Sequence, residues 1–158
     1  MPPTSISKSS NNPQRWHGKT VWITGASSGI GRCLALQLAQ MGATVIVSAR
    51  SKEKLEELTK LSPQKIIALP VDVTNAAKVS DVQYQLAARV ESIDVAIFAA
   101  GIVEYENNLA FNEKTYKEVF DVNFFGLVNS VAIAMPLLKK SVFKPYIVGI
   151  TSLTVVIG

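Results

Sequence analysis

Apolar positions along the chain fall into two alternating kinds of run. The first kind is short, continuous and rich in β-formers: residues 20–24 (TVWIT), 44–49 (TVIVSA), 66–71, 94–99 (DVAIFA) and 146–151 (YIVGIT). The second kind is longer and spaced as on a helix. Ile30, Leu34, Leu38 and Met41 mark a helix over 29–41, which Gly42 ends. Leu55, Leu58 and Leu61 share one side of 52–61, and Ser62-Pro63 breaks it. Thr74 is the predicted N-cap of a third helix of about 16 residues, through Val90. Residues 113–140 read as a long fourth helix that Pro136 bends or ends.

The order is strand and helix in strict alternation, with five strands. Continuous apolar strands are those covered on both faces, so the pattern predicts an α/β fold. It is a doubly wound, Rossmann-type parallel sheet in three αβα layers, because such crossovers are right-handed. The domain is expected over 19–158, behind a polar tail over 1–18.

Composition fits that picture. Hydrophobic residues make up 48% and charged residues 18% of 158, which is globular rather than disordered. No apolar run approaches the ~18 residues of a membrane span. Residues 1–12 are polar, Ser-rich and acid-free. That fits a disordered tail better than an organelle-targeting peptide. One cysteine, Cys33, excludes an internal disulfide and fits a reducing, cytoplasmic location. The net charge of +4 comes mostly from Lys8, Arg15 and Lys19, ahead of every acid. The rest is near neutral, so a nucleic-acid partner is not expected.

Candidate chemistry starts after the first strand, at Thr24-Gly25-Ala26-Ser27-Ser28-Gly29-Ile30-Gly31. Gly25 permits a tight turn off the strand. Gly29 and Gly31 remove side chains where the helix begins, so a pyrophosphate can reach its free N–H groups and positive dipole end. Ser27 and Ser28 add hydroxyl donors. The second strand ends Ala49-Arg50, with no acid to hold a ribose 2′-hydroxyl and an arginine suited to a 2′-phosphate. NADP(H) is therefore expected over NAD(H).

The string TGASSGIG resembles the main branch of the short-chain dehydrogenase/reductase family. The resemblance runs from about Gly18 to Gly158 through Val71-Asp72-Val73, Ala99-Ala100-Gly101, Val122-Asn123 and Ile150-Thr151-Ser152. It implies hydride transfer between a nicotinamide dinucleotide and an alcohol or carbonyl substrate. It places Ile30 in the cofactor loop, Asp72 and Val73 beside the adenine, and Ala100 and Gly101 beside the cofactor ribose. Asp72 reads equally well as a turn acid. The family's Asn-Asn-Ala-Gly is Phe98-Ala99-Ala100-Gly101 here, without either asparagine.

The resemblance also implies four catalytic groups: an Asn at a helix irregularity holding a water, a Ser positioning the substrate oxygen, and a Tyr acid/base beside a Lys. Asn123 and Ser152 match the first two. No Tyr-x-x-x-Lys follows Ser152. The chain is thus expected to be C-terminally truncated, with the fold's last strands missing and little or no turnover alone. Parts of 95–98 and 146–157 are expected to lie open. A non-catalytic NADP(H)-binding or partner-binding module is the alternative. The long fourth helix, commonly a subunit interface in the family, implies a homo-oligomer. No metal-ligand cluster is apparent, and the sole histidine, His17, is remote from the motif.

Overall fold

A computed structural model describes residues 15–103 and 112–151. Strand β1 (Thr20–Thr24) leads to α1 (Gly29–Gln40), β2 (Thr44–Ser48) to α2 (Lys52–Leu61), and β3 (Ile66–Ala68) to α3 (Val79–Ala87). Then β4 (Val95–Phe98) leads to α4 (Glu113–Phe120). A π-helical segment, Asp121–Phe125, joins α4 to α5 (Gly126–Leu138), and β5 (Tyr146–Gly149) follows.

All pairings are parallel, in the order β3-β2-β1-β4-β5. The chain therefore reverses direction across the sheet after β3, returning to the other side of β1. This is the doubly wound arrangement, with its crevice at the carboxyl ends of β1 and β4.

Alternation within each strand builds two cores. Val21, Ile23, Val45, Val47, Val95 and Ile97 face α1 and α2, where they meet Ala35, Leu38, Leu55 and Leu58. Trp22, Ile46, Ala96 and Phe98 face the other way, against Val82 and Leu86 of α3 and Ile133, Ala134, Leu137 and Leu138 of α5. Trp22 stands edge-on to Phe98 with ring centroids 5.8 Å apart, and its Nε1–H donates to the buried Ser48 hydroxyl at 2.9 Å. Asp94, 4% exposed, ties the start of β4 to its neighbours. It accepts from the Thr20 N–H at 2.8 Å and the Ser141 hydroxyl at 2.5 Å.

Several expectations are corrected. Residues 15–18 are not tail: Trp16 packs on the first core, and the Lys19 N–H returns to its carbonyl. Thr74 caps no helix. Asp72 Oδ1 captures both its N–H and its hydroxyl in a side-chain turn, and α3 begins five residues later after a short 3₁₀ turn, Ala76–Lys78. The strand β4 is wholly buried, whereas Tyr146, Ile147 and Val148 of β5 are indeed exposed.

No apolar run in the sequence approaches a membrane span, yet Glu113–Leu138 as one helix is long and apolar enough to cross one, by length and composition only. Its α5 part packs Ile133, Ala134, Leu137 and Leu138 into the second core, whereas α4 buries no residue. Pro136 does not end it. Proline removes the N–H that would bond the Ala132 carbonyl. Gln83 of α3 fills the vacancy, donating Nε2–H to that carbonyl at 2.8 Å. Gln83→Leu is expected to cost about 0.5–1.5 kcal/mol in urea unfolding. The cost should shrink in a Pro136→Ala background, where the helix supplies its own donor. A cost that is unchanged there would remove the link.

Candidate nucleotide site

A cleft of about 540 Å³ opens at the carboxyl ends of the strands. Each of the first four strands contributes the segment that follows it. After β1 come Gly25, Ser27, Ser28, Gly29, Ile30 and Gly31, and after β2 come Ala49, Arg50 and Ser51. The segment after β3 adds Val71, Asp72, Val73 and Thr74, and the segment after β4 adds Ala99 to Ile102. Every cofactor-loop residue singled out from the sequence thus lies on this one cleft.

The three glycines do different work. Gly29 has φ +52, and a Cβ there would meet nothing within 4 Å. That position faces open space. Gly25, at φ +72, would drive a Cβ to 2.4 Å from the Ala99 carbonyl. A Cβ on Gly31 would lie 2.5 Å from the Gly25 oxygen. The expectation that Gly31 clears space for a diphosphate is therefore corrected. Its missing side chain lets α1 seat on the turn, and only Gly29 opens the approach.

Ser28 is the N-cap of α1 in extended backbone, but its side chain makes no cap hydrogen bond, and the first turn holds no acid. By contrast, Ser51 caps α2 and Asn112 caps α4 through their side chains. The backbone bonds resume only at the Arg32 N–H, which reaches the Ser28 carbonyl at 3.2 Å. The N–H groups before it point out of the helix end, where the dipole favours an anion.

Arg50 is exposed on the cleft, and the sequence reading missed its neighbour. Lys54, in the first turn of α2, lines the same corner with Ser51. The signal was available: a residue one turn into a helix that starts at the strand end returns to that end. Asp72 does serve as a turn acid, with Oδ1 taken by Thr74. Val73 turns its side chain into the second core. Its carbonyl accepts Asn129 Nδ2–H at 2.8 Å, and Gly126 leaves room for its methyls. Asn129 and Gly126 went unnoticed because they lie far along the chain in a helix of ordinary appearance.

Asn123 sits within the π segment. Its carboxamide holds both backbone groups of one residue: Oδ1 accepts the Ile102 N–H at 2.8 Å and Nδ2 donates to the Ile102 carbonyl at 2.9 Å. A Cβ on Gly101 would come within 3.3 Å of Oδ1, so that glycine admits the grip. Asn123 therefore fixes the cleft wall through Ile102, and Val122 beside it lines the cleft. Ser152 lies outside the described residues, as does the loop from residue 104 to 111. Ile150, two residues before Ser152, lines the cleft. No group of three His, Cys, Asp or Glu side chains suited to a metal occurs among the described residues. His17 packs on Gly42, which follows α1 at the opposite edge of the sheet.

Comparison with known proteins agrees with this architecture. The family model for short chain dehydrogenases matches residues 19–157. The chain is 34% identical over 129 residues to a 3-oxoacyl-[acyl-carrier-protein] reductase, FabG, of Thermotoga maritima, covering 80% of this chain and 52% of that protein. It is 33% identical over 143 residues to farnesol dehydrogenase of Aedes aegypti, covering 87% of this chain and 58% of that one. The ligand-free aldohexose dehydrogenase of Thermoplasma acidophilum superposes with a TM-score of 0.73 at 29% identity, over 88% of this chain and 51% of that chain. The chain thus spans about half the length of these relatives. The glycine turn, the parallel sheet behind it and the match over residues 19–157 lead to one assignment: this chain belongs to the short-chain dehydrogenase family of oxidoreductases.

Proposed function

We propose that this chain forms the NADP(H)-binding part of an oxidoreductase acting between an alcohol and a carbonyl compound. The observation that carries this reading is the vacancy at Gly29 in front of the uncapped α1. A diphosphate fits there, held by N–H groups and by the Ser27 and Ser28 hydroxyls. When bound, the nicotinamide supplies or accepts the hydride. Asp72 and the Val73 backbone border the adenine, and Ala100 and Gly101 border the ribose on the nicotinamide side. Asn123 holds the wall at Ile102 in place. Ser152 is assigned to the substrate oxygen by its motif. A cytoplasmic location belongs to the same reading.

The phosphate preference rests on Arg50 and Lys54 together. A guanidinium fork and an ammonium at one corner recognise a dianion, and the nearby carboxylate, Glu53, turns to the Ser51 hydroxyl and does not line the cleft. Arg50→Ala is expected to weaken NADPH by roughly ten- to a hundred-fold, since a charge-assisted bond contributes ~1.5–3 kcal/mol, with NADH little changed. Titration calorimetry with both nucleotides checks this. Equal affinity in the unaltered chain would end the assignment.

The 158 residues include no Tyr-x-x-x-Lys after Ser152, so NADPH with a panel of ketones should give little or no turnover. A robust rate would overturn that part. A second reading, a non-catalytic module that pairs with another chain, draws on the exposed apolar side chains Phe120, Phe124, Phe125 and Val128 along the long helix. Pairing of two copies through this helix would show as a dimer in sedimentation equilibrium, and charge at Phe124 would abolish it.

A further inference from the structure

All five strands run one way, so every segment that joins a helix to the next strand gathers at the edge opposite the cleft. That edge is basic. Lys139 and Lys140 follow α5, Lys144 precedes β5, and Arg15 and Lys19 precede β1. Glu91 is the one exposed acid in these joining segments among the described residues. The ion pairs Lys52–Glu56, Lys114–Glu118 and Lys117–Asp121 all lie on helix faces elsewhere.

An apolar tip stands between the lysines. Val142 is 90% exposed and Phe143 48%. The tip is held rather than slack. The Ser141 hydroxyl donates to Asp94, which is itself buried, and accepts the Phe143 N–H at 3.1 Å. The Lys19 ammonium lies over the Phe143 ring. Lysines after a helix complement its dipole, and that accounts for Lys139 and Lys140. It does not account for Lys144, or for a valine braced outward into water.

We propose that this edge rests on an anionic lipid surface, with Lys139, Lys140 and Lys144 at the phosphate groups and Val142 and Phe143 entering the acyl boundary. Cations around a short apolar tip are what such an interface selects. A nucleic acid would engage the cations and leave Val142 without a role. Contact at this edge keeps the nucleotide cleft facing the aqueous side, so the inference does not depend on what the cleft binds.

Vesicle flotation of the full chain tests it. Binding is expected to phosphatidylcholine vesicles carrying about a third phosphatidylserine, to weaken with added salt, and to be slight on pure phosphatidylcholine. The double variant Lys139→Gln, Lys140→Gln should lower partitioning about thirty-fold, taking about 1 kcal/mol per charge. Val142→Asp should lower it several-fold, with far-UV circular dichroism unchanged in both and melting lowered by only a few degrees in the lysine variant, whose charges complement the α5 dipole. Equal binding to neutral vesicles, no binding to anionic ones, or indifference to both variants would overturn the proposal. So would tighter binding to duplex DNA that Val142→Asp leaves intact, which would point to a nucleic-acid surface.

Discussion

Gly25→Ala is expected to cost on the order of 3–5 kcal/mol, enough to unfold much of the population. Two penalties combine. The backbone at φ +72 is a region where a side chain costs about 1–2 kcal/mol, and the added carbon would lie 2.4 Å from the Ala99 carbonyl. Neither obstacle yields cheaply, because the clash is with the backbone leaving β4, next to the sheet's centre. Gly29→Ala separates stability from binding. It faces the same backbone preference but no neighbour within 4 Å, so about 1 kcal/mol is expected. Its methyl would occupy the diphosphate's place, and NADPH affinity should fall ten-fold or more. Urea unfolding and calorimetry on the two variants would decide the matter. If Gly25→Ala melts with the parent, or Gly29→Ala binds as well as the parent, the division of labour among the glycines is wrong.

Trp22→Ala is expected to cost a similar amount, about 3–5 kcal/mol. The indole is fully buried between β2 and β4, stacked edge-on to Phe98, and its N–H satisfies the Ser48 hydroxyl. Truncation leaves both a cavity and an unpaired polar group in the second core. Trp22→Phe keeps most of the volume and loses only the donor, so about 1–2 kcal/mol is expected. Equal costs for the two variants would show that the cavity, and therefore the packing against Phe98, matters little.

The pair also includes a departure from the family pattern. Where the resemblance calls for the first asparagine, Phe98 adds apolar area against Trp22. The substitution braces β4 by aromatic packing. It was visible in the sequence as a departure, but its partner was not, because nothing local ties position 22 to position 98.

The legible parts were those that repeat at short range. Apolar runs gave the five strands within two or three residues, and the helical spacing of Leu55, Leu58 and Leu61 gave α2 to its end points. The glycine turn was legible because its residues are contiguous. What escaped was long-range or competitive. Thr74 looked like a cap, but it closes a side-chain turn with Asp72 two residues earlier, and α3 starts only at Val79. Pro136 looked like a break, but Gln83, on another helix, repaired the lost bond. Gly31 looked like an opening for ligand, and only the packed turn reveals the Gly25 oxygen behind it. Lys54 carried no local signal, since its return to the cleft depends on where α2 starts.

The bare beginning of α1 gives the fold a readable clock. Deuterium from solvent should enter the amides of residues 29–31 far sooner than those of β1, which are locked between two parallel neighbours. A nucleotide seated there would slow that uptake locally while leaving α2 and α3 at their former rates, so occupancy could be followed residue by residue without any catalytic signal.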